Sequence, residues 1–269
     1  MVPIIRRSSS PGPVAPSASV LPNTTGPWKL GLASASQQVS IATHAVVAIS
    51  GDGAAHTDTL NAALDASYVW GSGAHRHVDG ILKDYRVGVG GAPMAALAGL
   101  QLARPFSAEG TANRSLTFTL PKEGSACTDP AFSVLQGLHD AWISLPDTLV
   151  PGREWSDTVQ TFSCRDRVPL RGTAVRRFRV GRAEIESGLR VIVLIDRTIR
   201  GRLTGNGEQF GEQVALSGES SGTMHYAVDP TAGRLLRATG NATLNLSLKS
   251  SRRHQAVKQE SSLVLTWIW

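Results

Sequence analysis

From Gln38 to Ser50 the odd positions read Val39, Ile41, Thr43, Ala45, Val47 and Ile49, while most even positions are polar or small. A period of two is the mark of a strand buried on one face, because successive side chains leave opposite sides of the pleat. After the turn SGDGAAH the pattern resumes over residues 57–70, with Leu60, Ala62, Leu64, Ala66, Tyr68 and Trp70 on one face. A hairpin is expected there. Following WGSGAH, a third long strand is expected with Ile81, Tyr85, Val87 and Val89 on one side, and the short run 28–34 is a candidate strand ahead of all three.

The period of two returns beyond Trp155. Leu189, Val191, Val193, Ile195, Ile199 and Leu203 share a face, as do Val214, Leu216, Met224, Tyr226 and Val228, then Leu236, Ala238, Ala242, Leu244, Leu246 and Leu248, and finally Val257, Leu263, Leu265 and Trp267. Turn signals RLTGNGEQ, DPTAG and SSRRH separate these runs. Strands of roughly ten to fifteen residues exceed the usual five or six of a compact sandwich and suit a strongly curved antiparallel sheet, a half-barrel or open barrel. Two meanders are thus expected, about 28–89 and 155–268.

Between them the pattern changes. Residues 93–103 are rich in Ala and Leu, and Asp129-Pro130 precedes Val134, Leu135, Leu138 and Trp142. Asp at an N-cap with Pro at the first helical position predicts one short helix, and the Ala/Leu run suggests a second, in an insert spanning about 90–150. Residues 1–23 are rich in Ser, Pro and Ala without periodicity and read as a flexible tether. The expected organisation is that tether followed by a single antiparallel β-rich domain over 24–269.

Composition changes this picture little: 41% hydrophobic and 18% charged residues support a sizeable core. Charge adds more. The net +6 is concentrated between Arg165 and Arg202, which hold eleven arginines, and such an excess would attract an anionic envelope surface or a polyanion. Arginines at solvent-facing strand positions would also explain it, and nucleic acid is a disfavoured partner. Cys127 and Cys164 lack any C-x-x-C or Cys/His zinc spacing, so a disulfide is expected. It would close a loop of about 37 residues, contribute roughly 4 kcal/mol and imply an oxidising compartment. No apolar export core follows Met1, and no run approaches a transmembrane helix, so an export signal or anchor is expected upstream of Met1 or the thiols stay free.

Three segments together, CTDPAFSVLQGLHDAW, LPDTLVPGREWSDTVQTFSC and GRLTGNGEQFGEQVALSGESSGTMHYAVDPTAGRLL, along with the Ser/Pro-rich tether, resemble bacterial envelope proteins of the half-barrel lipoprotein-carrier type. The resemblance is one of pattern. It implies an apolar cavity between sheet and helices that shelters acyl chains.

Chemistry-bearing motifs are few. Gly218-Glu219-Ser220-Ser221-Gly222 matches the G-x-S-x-G hydrolase elbow but lies in an alternating stretch without a following helix. His75 and His77, with His56 across the hairpin, could approach one metal, although zinc wants three or four ligands and surface histidines are the simpler account. Glycines 88, 90, 91, 205, 207 and 211 lack dinucleotide spacing and read as turn and bulge glycines. Asp157 with Asp166, and Glu184 with Glu186, are carboxylate pairs too common to bear a role by themselves. The six tryptophans stand mainly at element ends, as packing residues or the rim of a cavity mouth.

No catalytic residue, metal ligand or cofactor is therefore assigned. The expected function is a non-enzymatic envelope or secreted protein holding a lipid or other apolar ligand in a concave sheet. Two alternatives stand beside it: a structural or adhesion module meeting an anionic partner through its arginine-rich strands, and a secreted serine hydrolase using Ser220.

Overall fold

A computed structural model describes residues 22–31, 36–52, 55–70, 76–90, 95–96, 104–110, 116–118, 127, 139, 143–165, 167–186, 190–209 and 211–268. The proposed tether, apart from 22–23, lies outside them. The fold is almost entirely antiparallel β-sheet. The first meander comprises β2 (Ser36–Gly51), β3 (His56–Trp70) and β4 (Arg76–Val89). The second comprises β9 (Glu154–Arg165), β10 (Val168–Glu186), β11 (Arg190–Gln209), β12 (Glu212–Asp229), β13 (Arg234–Lys249) and β14 (His254–Ile268). The two join edge to edge through β14 and β2, with Val257 opposite Ile49 and Leu265 opposite Ile41.

The insert departs in part from expectation. The Ala/Leu-rich run contributes β5 (Ala95–Ala96), and β6 (Arg104–Gly110) and β7 (Leu116–Phe118) extend the sheet beyond β4. Composition alone favoured a helix near Pro93, but β4 presents an open edge, and backbone pairing to it overrides weak propensity. The helix expected after Asp129-Pro130 falls outside the described residues apart from His139. The candidate strand near Trp28 is β1 (Trp28–Lys29), which pairs not with its neighbours in sequence but with β8 (Thr148–Leu149).

The curl of the sheet follows from what its strands enclose. Five strands separate β2 from β9. In a flat sheet they would lie roughly 29 Å apart at the ~4.8 Å strand spacing. Yet Ile41 and Thr43 of β2 and Thr161 and Ser163 of β9 line one pocket of about 420 Å³. The sheet is rolled into an open trough, not closed into a barrel, with β7 and β9 as its edges. Glycines on the inward face permit the roll. A Cβ on Gly172 would stand 1.8 Å from the Arg202 carbonyl oxygen, and one on Gly218 would stand 2.1 Å from that of Asn245. Only glycine allows strands to approach so closely.

The apolar sides of the strands build two layers. The larger unites Val39, Ile41, Leu64, Phe178, Ile195, Tyr226, Leu265 and Trp267. Segments 23–31 and 143–152 cover that end: Trp28, Leu30, Ile143, Leu145 and Leu149 join the same cluster. The Trp28 indole N–H donates to the Asn23 carbonyl at 2.7 Å, and the Gly31 N–H to the Pro230 carbonyl at 2.8 Å. A second layer at the opposite end packs Val168, Leu170, Leu203, Val214, Leu216, Leu246, Leu248 and Val257.

Three irregularities correct the period-of-two reading. An extra residue in β4, where Asp84 opposes Asp65 but Leu82 opposes Ala66, puts Ile81 out of phase with Tyr85, and Ile81 is exposed. The shift between Ala227 and Val228 makes Leu235, not Leu236, the buried leucine at the start of β13. RLTGNGEQ is not a turn: β11 runs through it to Gln209, and the chain reverses at Gly211, where φ is 77°. Gly205 and Gly207 instead lie against Pro169, Leu170 and Val168 of β10.

Candidate binding site in the concave face

Strand parity decides which side chains line the trough. On β10 the inward set is Val168, Leu170, Gly172, Ala174, Arg176, Phe178 and Val180; on β11 it includes Ile195, Arg197, Ile199, Gly201 and Leu203. Large residues fill the two ends, whereas the rows between are small. Ala174, Gly201 and Ser220 form one cross-strand row, and Gly222, Ala242, Ser261 and Ala45 form much of the next. Small side chains in successive rows leave a void that the flanking layers cannot fill.

That void is the 420 Å³ cavity, with Ile41, Ile199, Leu203, Leu244 and Leu263 as its apolar walls. Hydroxyls of Thr43, Thr161, Ser163, Ser220 and Ser261, together with Gln259 and Arg197, supply polar points. Its size falls within the range of small-molecule sites.

Beside the cavity the sheet buries charge. Arg176, with only 7% of its side chain exposed, donates Nε to Asp157 Oδ1 at 2.7 Å and Nη2 to Asp157 Oδ2 at 2.6 Å. Its guanidinium carbon lies 5.6 Å from the Phe178 ring centre, and Phe178 in turn stacks on Trp155 at 5.0 Å. Arg197 is also buried, with its guanidinium 5.7 Å from the centre of the Tyr226 ring. Neither arginine was singled out from sequence, where all eleven were grouped as one basic stretch. The signal was there: Arg176 has the parity of Ala174 and Phe178, and Arg197 that of Ile195 and Ile199.

The sequence candidates sort by face. Ser220 has inward parity, whereas His225 on the same strand points outward and pairs through Nδ1 with Asp196 at 2.6 Å. His44 pairs with Asn61 and His254 with Ser247, again outside. The sheet thus separates Ser220 from these imidazoles, and the motif's Gly218 and Gly222 are explained by close approach to Asn245 and Asn241. Ser220 is a cavity-lining hydroxyl.

His56 is exposed and lies 3.3 Å from Asp58; His75 falls outside the described residues, and His77 lies in β4 with its side chain undescribed. Among the described residues no group of three potential ligands could hold a metal. Asp157 pairs with Arg176, Glu184 with Arg182, and Glu186 with both Arg190 and Arg237. These carboxylates therefore meet cations rather than each other; Asp166 is outside the described residues. The Arg190 and Arg237 guanidiniums hold the Glu186 carboxyl below the usual carboxylate range. Cys127 and Cys164 form the expected disulfide, which fixes residue 127 to the edge strand β9.

No family model and no curated protein matches the chain. Among solved structures it is similar to Pseudomonas aeruginosa OpdQ, with 6% identity over 87% of this chain and 99% of that one at a TM-score of 0.28. OccK11 (OpdR) of the same organism shows 9% identity over 92% and 100% at 0.28. The COG4313 outer membrane channel of Pseudomonas putida F1 shows 8% over 95% and 100% at 0.23. Likeness at this level settles neither family nor activity.

The polarity of the two faces is more informative. A membrane-spanning barrel turns an apolar band outward. Here the outward positions of the second meander carry Arg177, Arg179, Asp196, Arg200, Arg202, Glu219, Lys258 and Glu260, and apolar residues line the inside. Such a face is built for water. No helix among the described residues is long and apolar enough to cross a membrane.

Proposed function

We propose that this is a non-enzymatic envelope or secreted protein that holds a lipid or other apolar small molecule in the trough of its curved sheet. The cavity of about 420 Å³ between two packed apolar layers carries this reading. The pocket opens to solvent, and its leucine and isoleucine walls present apolar surface that an apolar ligand would take out of water. The disulfide supports an oxidising compartment, and the charged outward face supports a protein surrounded by water rather than hydrocarbon. Half-barrel lipoprotein carriers, which the chain resembles in pattern, would use the same arrangement.

The test is native mass spectrometry of the purified protein together with enhancement of the neutral dye phenylnaphthylamine. Ala242 lines the cavity and is exposed to it, so Ala242→Trp should fill the space without displacing packed neighbours. Ala215→Trp, on the outward face of β12, is the control. A co-purifying apolar molecule and dye binding lost only in the first variant are expected. Absence of both in the wild-type protein, or equal dye binding in the two variants, would sink the proposal.

A further inference from the structure

The outward face of the β10–β11 ribbon has an order that composition hides. Its successive outward rows pair Arg179 with Asp196, Arg177 with Thr198, Val175 with Arg200, Thr173 with Arg202, and Arg171 with Thr204. Each of the five rows holds one arginine, first on β10, then on β11, then on β10 again. Outward rows repeat every two residues, about 6.8 Å, so the five guanidiniums form a single file roughly 27 Å long. All five arginines are exposed.

We infer that this file is a docking surface for an acidic polysaccharide, an extended chain bearing regularly spaced carboxylate or sulfate groups. The inference is independent of what the concave face holds. Charge complementarity is the first argument. Asp196 is the one carboxylate within the rows, and His225 already engages it. Two flanking carboxylates, Glu154 at 3.9 Å from Arg179 and Glu219 at 3.4 Å from Arg202, make exposed pairs of the kind worth little, which a polyanion can displace.

The remaining row partners provide the second argument. Thr173, Thr198 and Thr204 interleave hydroxyls with the guanidiniums, suiting a ligand with sugar hydroxyls as well as anions. Arginine forks match carboxylate and sulfate oxygens in pairs. A single-stranded nucleic acid would call for aromatic platforms on the same face. One ring, Phe162, sits across from Arg171 at the end of the file, and one ring is not a series of platforms; Trp155 and Phe178, beside the other end, have inward parity and stack on each other. A bilayer would call for large apolar side chains entering its interface. Val175 alone among the ten positions is a large apolar residue.

The experiment is titration calorimetry of the full chain with a defined heparin oligosaccharide, with neutral dextran as control. Arg177→Glu/Arg200→Glu/Arg202→Glu removes the centre of the file, and the milder Arg→Gln triple guards against misfolding, checked by circular dichroism. Lys249→Glu/Arg252→Glu/Lys258→Glu makes the same charge change on β13, β14 and the turn between them. Heparin binding that weakens with salt, falls at least about tenfold in both file variants and changes less than about twofold in the control is expected. Equal loss in file and control variants, or no heparin binding by the wild-type chain, overturns the inference. So does tighter file-dependent binding to oligothymidylate or to anionic phospholipid vesicles.

Discussion

The buried Asp157–Arg176 pair offers the sharpest test of how the trough is held together. The guanidinium is nearly inaccessible, whereas Asp157 retains 30% of its side-chain exposure, so water can reach one partner and hardly the other. The two truncations should therefore be unequal. Asp157→Ala leaves a buried cation without this carboxylate, and removing one partner of a buried pair costs about 3–5 kcal/mol. Since the aspartate is part-exposed, about 3 kcal/mol is expected. Arg176→Met leaves a carboxylate that can rehydrate at the β9 edge and should cost about 1–2 kcal/mol. The double variant Asp157→Leu/Arg176→Met replaces the pair with apolar packing against Phe178 and should lie within about 1 kcal/mol of wild type. Urea unfolding by circular dichroism gives each value, provided the denaturant slope stays constant. Glu154→Ala, which breaks an exposed pair on the same strand, is the reference and should cost less than about 1 kcal/mol. If Asp157→Ala costs no more than Glu154→Ala, or if the double variant is as unstable as the sum of its parts, the pair is not a coupled buried unit.

Other outcomes follow from the same geometry. Gly172→Ala places a methyl 1.8 Å from a backbone oxygen that cannot move without parting β10 from β11. It should cost about 3 kcal/mol or more in thermal unfolding, against about 1–2 kcal/mol for Gly90→Ala, where the strain is only that of a positive φ of 64° and the space is open. Reducing the Cys127–Cys164 bond, with a sequence separation of 37, should destabilise the fold by about 4 kcal/mol, read as the shift in urea midpoint with and without dithiothreitol. Glu186 gives a pH signature. Because its folded-state pKa is depressed, its contribution is present above the ordinary value of 4.5 and is lost as pH falls through the lower folded value. Glu186→Gln should remove that acid-side loss, about 1 kcal/mol, and leave the slope at neutral pH unchanged.

Alternation along the chain determined the class of fold, because the pleat itself sends successive side chains to opposite faces. It placed Val39, Ile41, Leu64, Val193, Met224, Tyr226 and Leu265 correctly on the buried side before any pairing was known. It also contained the parity of Arg176 and Arg197, although a charge reading grouped them with their solvent-facing neighbours. The cysteine pairing was legible for a simpler reason: with two cysteines and no metal spacing, a disulfide was the natural partner choice.

What alternation lacked was any account of distance between strands. The edge-to-edge closure of β14 on β2, the pairing of β1 with β8 and the addition of β6 to β4 bring together residues remote in sequence, and local pattern is silent on such contacts. Bulges shifted the phase in β4 and β13, since one inserted residue reverses every face beyond it. The glycines of GNG and of G-x-S-x-G took their meaning only from what crowds them across the roll of the sheet, backbone carbonyls at Gly205, Gly218 and Gly222 and the Val168 side chain at Gly207. The cavity and the file of arginines are likewise properties of register. Small side chains make a void only when neighbouring strands set them side by side, and five arginines make a line only when β10 and β11 pair one per row.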